Sequence, residues 1–201
     1  MPSLPMWTLL LTMHNTPERQ AMYEDVVSYY QARQVPVYLV DSANRGLASV
    51  PPERQVLFDQ YALPEAAQCT TSTHWELLAL QRFVDSPVFA GLSCRYLIKL
   101  TAKYKLPELV AVLDQQVGRL SPHLFVQHLQ LGGHQNCEIV GFARARLPAQ
   151  LQALRAFPHR LILEQRLRQL LQQPGTVARR LPRLRNAAPY RRGSGSYLTH
   201  L

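Results

Sequence analysis

Cysteine is scarce: Cys69, Cys94 and Cys137 are the only three in 201 residues, odd in number and far apart. That spacing excludes a disulfide scaffold and a zinc site of paired cysteines, and it sets a reducing compartment as the expectation. Long apolar runs are missing too. The opening stretch from Met6 to Met13 falls well short of the ~20 residues a spanning helix needs. It also lacks the basic flank and cleavage pattern of a signal peptide. The chain is therefore expected to be cytoplasmic, with peripheral binding at the inner face of a membrane left open. Its nine glycines never fall as G-x-G-x-x-G or G-x-x-x-x-G-K-[ST], so the dinucleotide and P-loop fingerprints are absent. There is no G-x-S-x-G, and the seven histidines show no H-E-x-x-H spacing, so hydrolase and zinc-peptidase readings have no support.

Acid is nearly absent from one end. Residues 144–201 carry twelve arginines against Glu164 alone, net +11, whereas residues 1–143 carry ten Lys/Arg against twelve Asp/Glu, net −2. Such a field attracts a polyanion, an anionic membrane face or a phosphorylated ligand; the plainer alternative is a solvated Arg-rich helix and tail. Beyond Phe142 the only Phe, Tyr or Trp residues are Phe157, Tyr190 and Tyr197. Base stacking is poorly provided for there, and nucleic acid is not the favoured partner.

Apolar and polar segments alternate through the first 130 residues. Trp7 to Thr12 reads as a buried strand; Pro17 and Glu18 start a helix whose Met22, Val26, Val27 and Tyr30 recur at helical spacing to about Arg33. Val35 to Val40 is a second strand closed by Asp41 and Ser42, which completes a βαβ unit. Gln55 to Phe58 is a short strand. Ser72 is the expected N-cap of a helix carrying Trp75, Leu78, Ala79 and Phe83, with Glu76 near the favourable N-terminal dipole. Arg95 to Leu100 is the next strand, Glu108 to Val117 a helix, and Leu124 to Leu129 another strand. Gly132 and Gly133 break the chain, Cys137 to Phe142 is extended or helical, and Ala149 to Leu171 holds one or two helices interrupted at Pro158. The expectation is a single α/β domain over residues 1–173, an open, mostly parallel sheet with helices on both faces. A basic Pro/Gly/Arg-rich tail follows over residues 174–201. Ligands of such sheets bind beyond the carboxyl ends of the strands. The polar residues there are His14, Asn15 and Arg19; Asp41, Ser42 and Arg45; Lys99, Thr101 and Lys103; Gln127 and His128.

The collinear segments LLLTMHNTPER, VYLVDSANRG, TSTHWELLAL, YLIKLTAKY, HQNCEIVGF and YRRGSGSYLTHL together resemble a group of small glycosyltransferase-like proteins of bacteria, algae and giant viruses. The resemblance implies a GT-A-like (Rossmann-like) nucleotide-sugar fold, with the donor recognised by the first half and a saccharide acceptor by the second. Ala102 stands where the group tends to carry glycine, and Ser194 where related sequences often have aspartate.

Metal-using members of that class hold a divalent cation with Asp-x-Asp, which this chain lacks among its thirteen acidic residues. No cofactor is expected, and a divalent cation has no support in the sequence. Lys99 or Lys103, helped by Arg191 and Arg192, is the expected cation facing the donor diphosphate, where charge accumulates as the glycosidic bond breaks. Thr101, Tyr104 and Ser194 complete that side. Asn15, Arg19, Asp41 and Arg45 are candidates for the base and ribose, with Asp41 equally suited to capping its own turn. Glu76 faces the nucleotide or complements its helix. Gln127, Gln135 and Asn136 are the acceptor candidates. Glu138, the only acid between Asp114 and Glu164, is the candidate base; burial among Ile139, Val140 and Phe142 would raise its pKa, and pairing with Arg144 or Arg146 is the alternative. The tail is expected to close on or near the site.

The expected function is therefore a metal-independent glycosyltransferase in polysaccharide or glycan assembly. The alternative is a non-catalytic basic module that binds nucleic acid or an anionic surface through its Arg-rich final third.

Overall fold

All seven residues of β1 (Trp7–Met13) are buried, and a strand with no exposed position belongs in the middle of a sheet covered on both faces. The computed structural model of the chain describes residues 6–117, 121–127, 137–182, 184–191 and 197–200. Pro17 at the first helical position starts α1 (Pro17–Gln31), where its missing N–H costs nothing. The chain returns as β2 (Val37–Asp41) and β3 (Gln55–Leu57), then forms α2 (Ser72–Val84), α3 (Pro87–Ala90), β4 (Tyr96–Thr101) and α4 (Leu109–Val117). The second half contributes β5 (Leu124–Val126), β6 (Ile139–Ala143), α5 (Leu147–Ala156), α6 (Leu163–Gln172) and β7 (Ala178–Arg180). β8 (Arg185–Arg191) pairs antiparallel with β9 (Tyr197–His200) as a separate two-stranded sheet.

The seven-stranded sheet has the order β3-β2-β1-β4-β6-β5-β7. β6 is antiparallel to both neighbours, and every other pairing is parallel. The carboxyl ends of β1 to β5 and of β7 therefore lie along one edge, the edge at which β6 begins. The α/β architecture with an open, mostly parallel sheet matches the expectation from the alternating pattern.

Period-two alternation divides the core. Leu9 and Leu11 face α1 and α4, in a cluster with Tyr30, Ile98, Leu100 and Leu113, whereas Leu10 faces α2, α5 and α6 with Phe83, Leu97, Leu151 and Leu167. Each such fully buried leucine contributes about 1.5–3 kcal/mol.

Two sequence expectations change, and the segment expected to be extended or helical takes the first of its two alternatives. Thr71 is the N-cap of α2, its hydroxyl accepting from the His74 N–H, and Ser72 is the first helical residue. The segment after Gly132 and Gly133 is extended and joins the sheet antiparallel. The packed unit also runs past residue 173: β7 adds to the sheet beside β5, and Leu181 and Leu184 are buried in the α1/α4 core. Among the described residues, no helix is long and apolar enough to cross a membrane.

Candidate functional site at the carboxyl edge of the sheet

Where β1, β2 and β4 end, their loops part around a cleft of about 310 Å³. Thr12, Met13, Ser42 and Thr101 form its floor. One wall is a single face of α1, Arg19, Met22 and Tyr23 at i, i+3, i+4. The facing wall is Ser72, Trp75, Glu76 and Ala79 of α2, again one helical face. Lys103, just beyond β4, closes the side next to β6.

Lys103 lies 3.3 Å from the Glu138 carboxylate. Glu138 directly precedes β6, so it stands at the same edge, next to the end of β4. Burial pushes its pKa up, but Lys103, then Lys99, and a hydrogen bond from Thr101 outweigh that, and the carboxyl sits below the usual range. The raised pKa expected from its apolar neighbours is thus corrected: two cations over-compensate the desolvation. The partner is Lys103 rather than Arg144, whose guanidinium donates to the Phe89 and Ala90 carbonyls.

Lys99 does a different job from the one its sequence position suggested. β4 continues to Thr101, so residue 99 lies inside the strand and alternates to the α2 side with Leu97. Its ammonium is 2% exposed, ion-paired with Glu76 and hydrogen-bonded to the Cys137 carbonyl at 2.7 Å. Burial would discharge it, but Glu76 foremost, with Glu138 behind, holds its pKa above the ordinary value. The same charges work against the Cys137 thiol, whose pKa burial and Glu76 push up. Lys99 therefore anchors Glu76 in the cleft wall and cannot face a phosphate.

Asp41 is also spent internally. It is fully buried, and its carboxylate accepts from the backbone N–H of Asn15, Ala43, Arg45 and Gly46 at 2.9–3.0 Å, which fills its acceptor sites. Asn15 is fully buried beneath the same loop and donates to the Gly46 carbonyl. Gly46 takes φ 66° there, and a Cβ would meet Gln55 Oε1 at 2.5 Å, so glycine is required. Asp41 and Asn15 thus build the loop instead of lining the cleft, and Arg45 stands exposed on it, outside the cleft lining.

Tyr104 is fully buried in the α1/α4 core, and its carbonyl accepts from the Tyr30 hydroxyl. Gln127, 1% exposed behind β5, offers no surface to an acceptor. Arg191 ends β8; Arg192, Ser194, Gln135 and Asn136 lie outside the described residues, as does His128. Of the donor candidates, the cleft gathers Arg19, Glu76, Thr101 and Lys103.

Sequence reading missed the aromatic rim. Trp75, read as part of the apolar stripe of α2, turns instead into the cleft. Tyr61, 69% exposed, packs edge-on to Trp75 at 5.6 Å and to His14 at 6.1 Å. His14 Nδ1 shares a 3.0 Å hydrogen bond with Ser42 Oγ. The available signal was the 72/75/76/79 spacing, which puts a serine and a glutamate on Trp75's own helical face.

Of the carboxylates at this edge, Glu76 and Glu138 each face an ammonium group and Asp41 accepts from four backbone N–H groups; β4 ends on Thr101, with Lys103 just beyond it. Among the described residues, no group of three His, Cys, Asp or Glu side chains could hold a metal ion.

The sheet order with its antiparallel β6 and carboxyl-edge cleft is that of a GT-A-like α/β fold, shown by likeness to solved structures. Three solved structures illustrate the likeness. A mannosyltransferase from Pyrobaculum calidifontis, in complex with GDP-Man and Mn2+, superposes with TM-score 0.51 at 14% identity over 90% of this chain and 56% of its own length. This chain thus spans little more than half of that protein. The 4-diphosphocytidyl-2C-methyl-D-erythritol synthase from Anaerococcus prevotii gives 0.50 at 7% identity, covering 97% of this chain and 91% of that one. The protein Rv0371c from Mycobacterium tuberculosis gives 0.50 at 12% identity, over 90% and 89% respectively. At these identities the likeness is one of fold. No family model matches the chain, and no curated protein does.

Proposed function

We propose that the chain is a glycosyltransferase that moves a sugar from a nucleotide-sugar donor to a saccharide acceptor, with Lys103 and Arg19 in place of a divalent cation. The observation that carries this reading is the position of Lys103, which lines the cleft at the end of β4 while its ammonium lies 3.3 Å from Glu138. A cation and a carboxylate at one strand end are the two charges the transfer needs.

The nucleotide would lie between the α1 and α2 walls, its base against Trp75 and Tyr61 and its diphosphate toward Arg19 and Lys103. As the bond from the sugar's anomeric carbon to the diphosphate oxygen breaks, its electron pair stays on that oxygen, next to cations fixed in advance. The acceptor oxygen forms the new bond and passes its proton to Glu138. Pairing with Lys103 makes Glu138 a weak base, so the two functions are coupled. A diphosphate that draws the ammonium toward itself releases the carboxylate and lets its pKa rise. Two structural neighbours, a mannosyltransferase in complex with GDP-Man and a diphosphocytidyl synthase, support a nucleotide-linked donor.

Thermal-shift measurement with UDP-, GDP-, CMP- and dTDP-sugars, with and without EDTA and manganese, tests the reading. Stabilisation by one donor, indifferent to EDTA and lost in Lys103→Ala, is expected. No stabilisation by any donor overturns it, and stabilisation abolished by EDTA overturns the substitution of lysine for metal. Release of pyrophosphate from a nucleoside triphosphate with no sugar moved would replace glycosyl by nucleotidyl transfer.

A further inference from the structure

A second hollow, of about 400 Å³, opens on the same edge of the sheet, between α6 and β7. Its lining includes Val126 and Arg180, the last residues of β5 and β7, which are register partners in the sheet. From α6 come Arg168, Leu171 and Gln172, with Thr176 just beyond the helix. Arg168 and Gln172, one turn apart, share a helical face, and Arg168 and Arg180, from separate elements, both line the one concavity. No carboxylate lines this hollow among the described residues, and none of those residues pairs with Arg180. Apart from Val126, its lining residues belong to the 144–201 part of the chain, whose net charge is +11.

Resting on the glycosyl-transfer reading above, we propose that this hollow is the acceptor subsite and that the acceptor carries a phosphate, held by Arg168 and Arg180. Guanidinium groups bind phosphate oxygens in pairs through their rigid fork. Gln172 and Thr176 add neutral hydrogen-bonding groups, and Leu171 and Val126 give an apolar wall for the rest of the molecule. Strand order places the catalytic carboxylate between the two hollows: the donor cleft ends at β4, Glu138 opens β6, and β5 with β7 follows. Two strand spacings, about 10 Å, separate the ends of β4 and β5. A phosphate anchored at Arg168 and Arg180 thus presents the rest of the acceptor toward Glu138 from the side opposite the donor. Soluble sugar phosphates and phospholipid-linked acceptors share this chemistry.

The test uses the full chain and its Arg168→Ala/Arg180→Ala variant. Both side chains are exposed, and retained nucleotide stabilisation at the first cleft shows that the variant is folded. Titration calorimetry with glucose 1-phosphate, and flotation with phosphatidylcholine vesicles with or without phosphatidic acid, read the two sources. Binding of either probe that weakens by about tenfold or more in the variant, roughly 1.4 kcal/mol, supports the proposal, and the probe that binds identifies the source. A wild-type chain that binds nucleotide but neither probe overturns it, as does a variant that binds both probes as tightly as wild type. Failure of the wild type to bind any nucleotide overturns the donor reading and the acceptor role with it, while phosphate binding, measured separately, still reports whether the hollow takes anions. Arg168→Lys/Arg180→Lys adds a second readout: charge without the fork is expected to recover only part of the affinity.

Discussion

The Lys103 ammonium and the Glu138 carboxylate meet at 3.3 Å, each side chain about one-fifth exposed, and the pair joins the carboxyl-edge cleft to the start of β6. Because the carboxyl is held below its ordinary 4.5, its contribution to stability is fully present above that pH and is lost as pH falls through the folded value. Unfolding curves are expected to show a loss of wild-type stability below about pH 4.5 that is shallower in Glu138→Gln. Equal slopes would contradict the depressed pKa. The same variant is expected to keep nucleotide binding and to lose about 10²- to 10⁴-fold in turnover, the usual worth of a general base.

Lys99 and Glu76 form a pair of another kind, in which the ammonium is buried and the carboxylate, about one-quarter exposed, stands in the cleft wall. Removing one partner of such a pair leaves an uncompensated charge and costs about 3–5 kcal/mol. Urea unfolding of Lys99→Ala is expected to show a loss of that order, and Lys99→Met combined with Glu76→Leu is expected to recover most of it. A loss below about 1 kcal/mol in the single variant would place Lys99 among weakly coupled surface charges.

Lys99 also shows how far the sequence could be read. The runs Trp7 to Thr12 and Val35 to Val40, observed as Trp7–Met13 and Val37–Asp41, and the helix between them were legible because run length and apolar period are local properties. That Lys99 points toward α2 was legible in principle too, since it alternates with Leu97. Which residue meets it was not legible, because Glu76 comes from a distant helix and the pairing is a tertiary fact. β7 gave no signal at all: its three residues are exposed, and they lie in a stretch whose composition reads as tail. The Trp75 face failed for a further reason. An aromatic residue at helical spacing fits a core stripe and a cleft wall equally well, and only the fold decides between them.

Asp41 separates loop construction from ligand binding in a measurable way. Truncation to alanine strands four backbone N–H groups that now share one carboxylate, and each stranded buried donor costs about 1–3 kcal/mol. Asp41→Ala is expected to lower the unfolding free energy by more than about 3 kcal/mol and to expose the 41–46 loop to protease. Unchanged stability with weakened nucleotide binding would return Asp41 to the ligand role.

Gly141 in β6 fixes how closely the sheet packs. An added Cβ would come within 2.7 Å of Ile98 Cδ1 and 2.9 Å of Phe125 Cβ, so Gly141→Ala overpacks a filled core at a cost of about 1–3 kcal/mol. Ile98→Val removes the nearer of the two clashing atoms. The double variant is therefore expected to be more stable than the sum of the two single losses predicts, a coupling read from a double-mutant cycle. Strict additivity would show that Ile98 yields without strain and that the space behind Gly141 is not shared.

Trp75 offers the sharpest separation of binding from folding in the cleft. Its ring is half-buried, lines the cleft and meets Tyr61 edge-on, so a flat base or sugar ring could lie against it without moving the α2 core. Stacking of a base on an aromatic side chain is worth about 1–3 kcal/mol, roughly five- to 150-fold in affinity. Trp75→Ala is expected to raise the donor dissociation constant within that range while the melting temperature changes little, and Trp75→Phe to recover most of the loss. A variant that binds donor as well as wild type would move the nucleotide off the α2 wall and toward Met22 and Tyr23 of α1, which face it across the cleft.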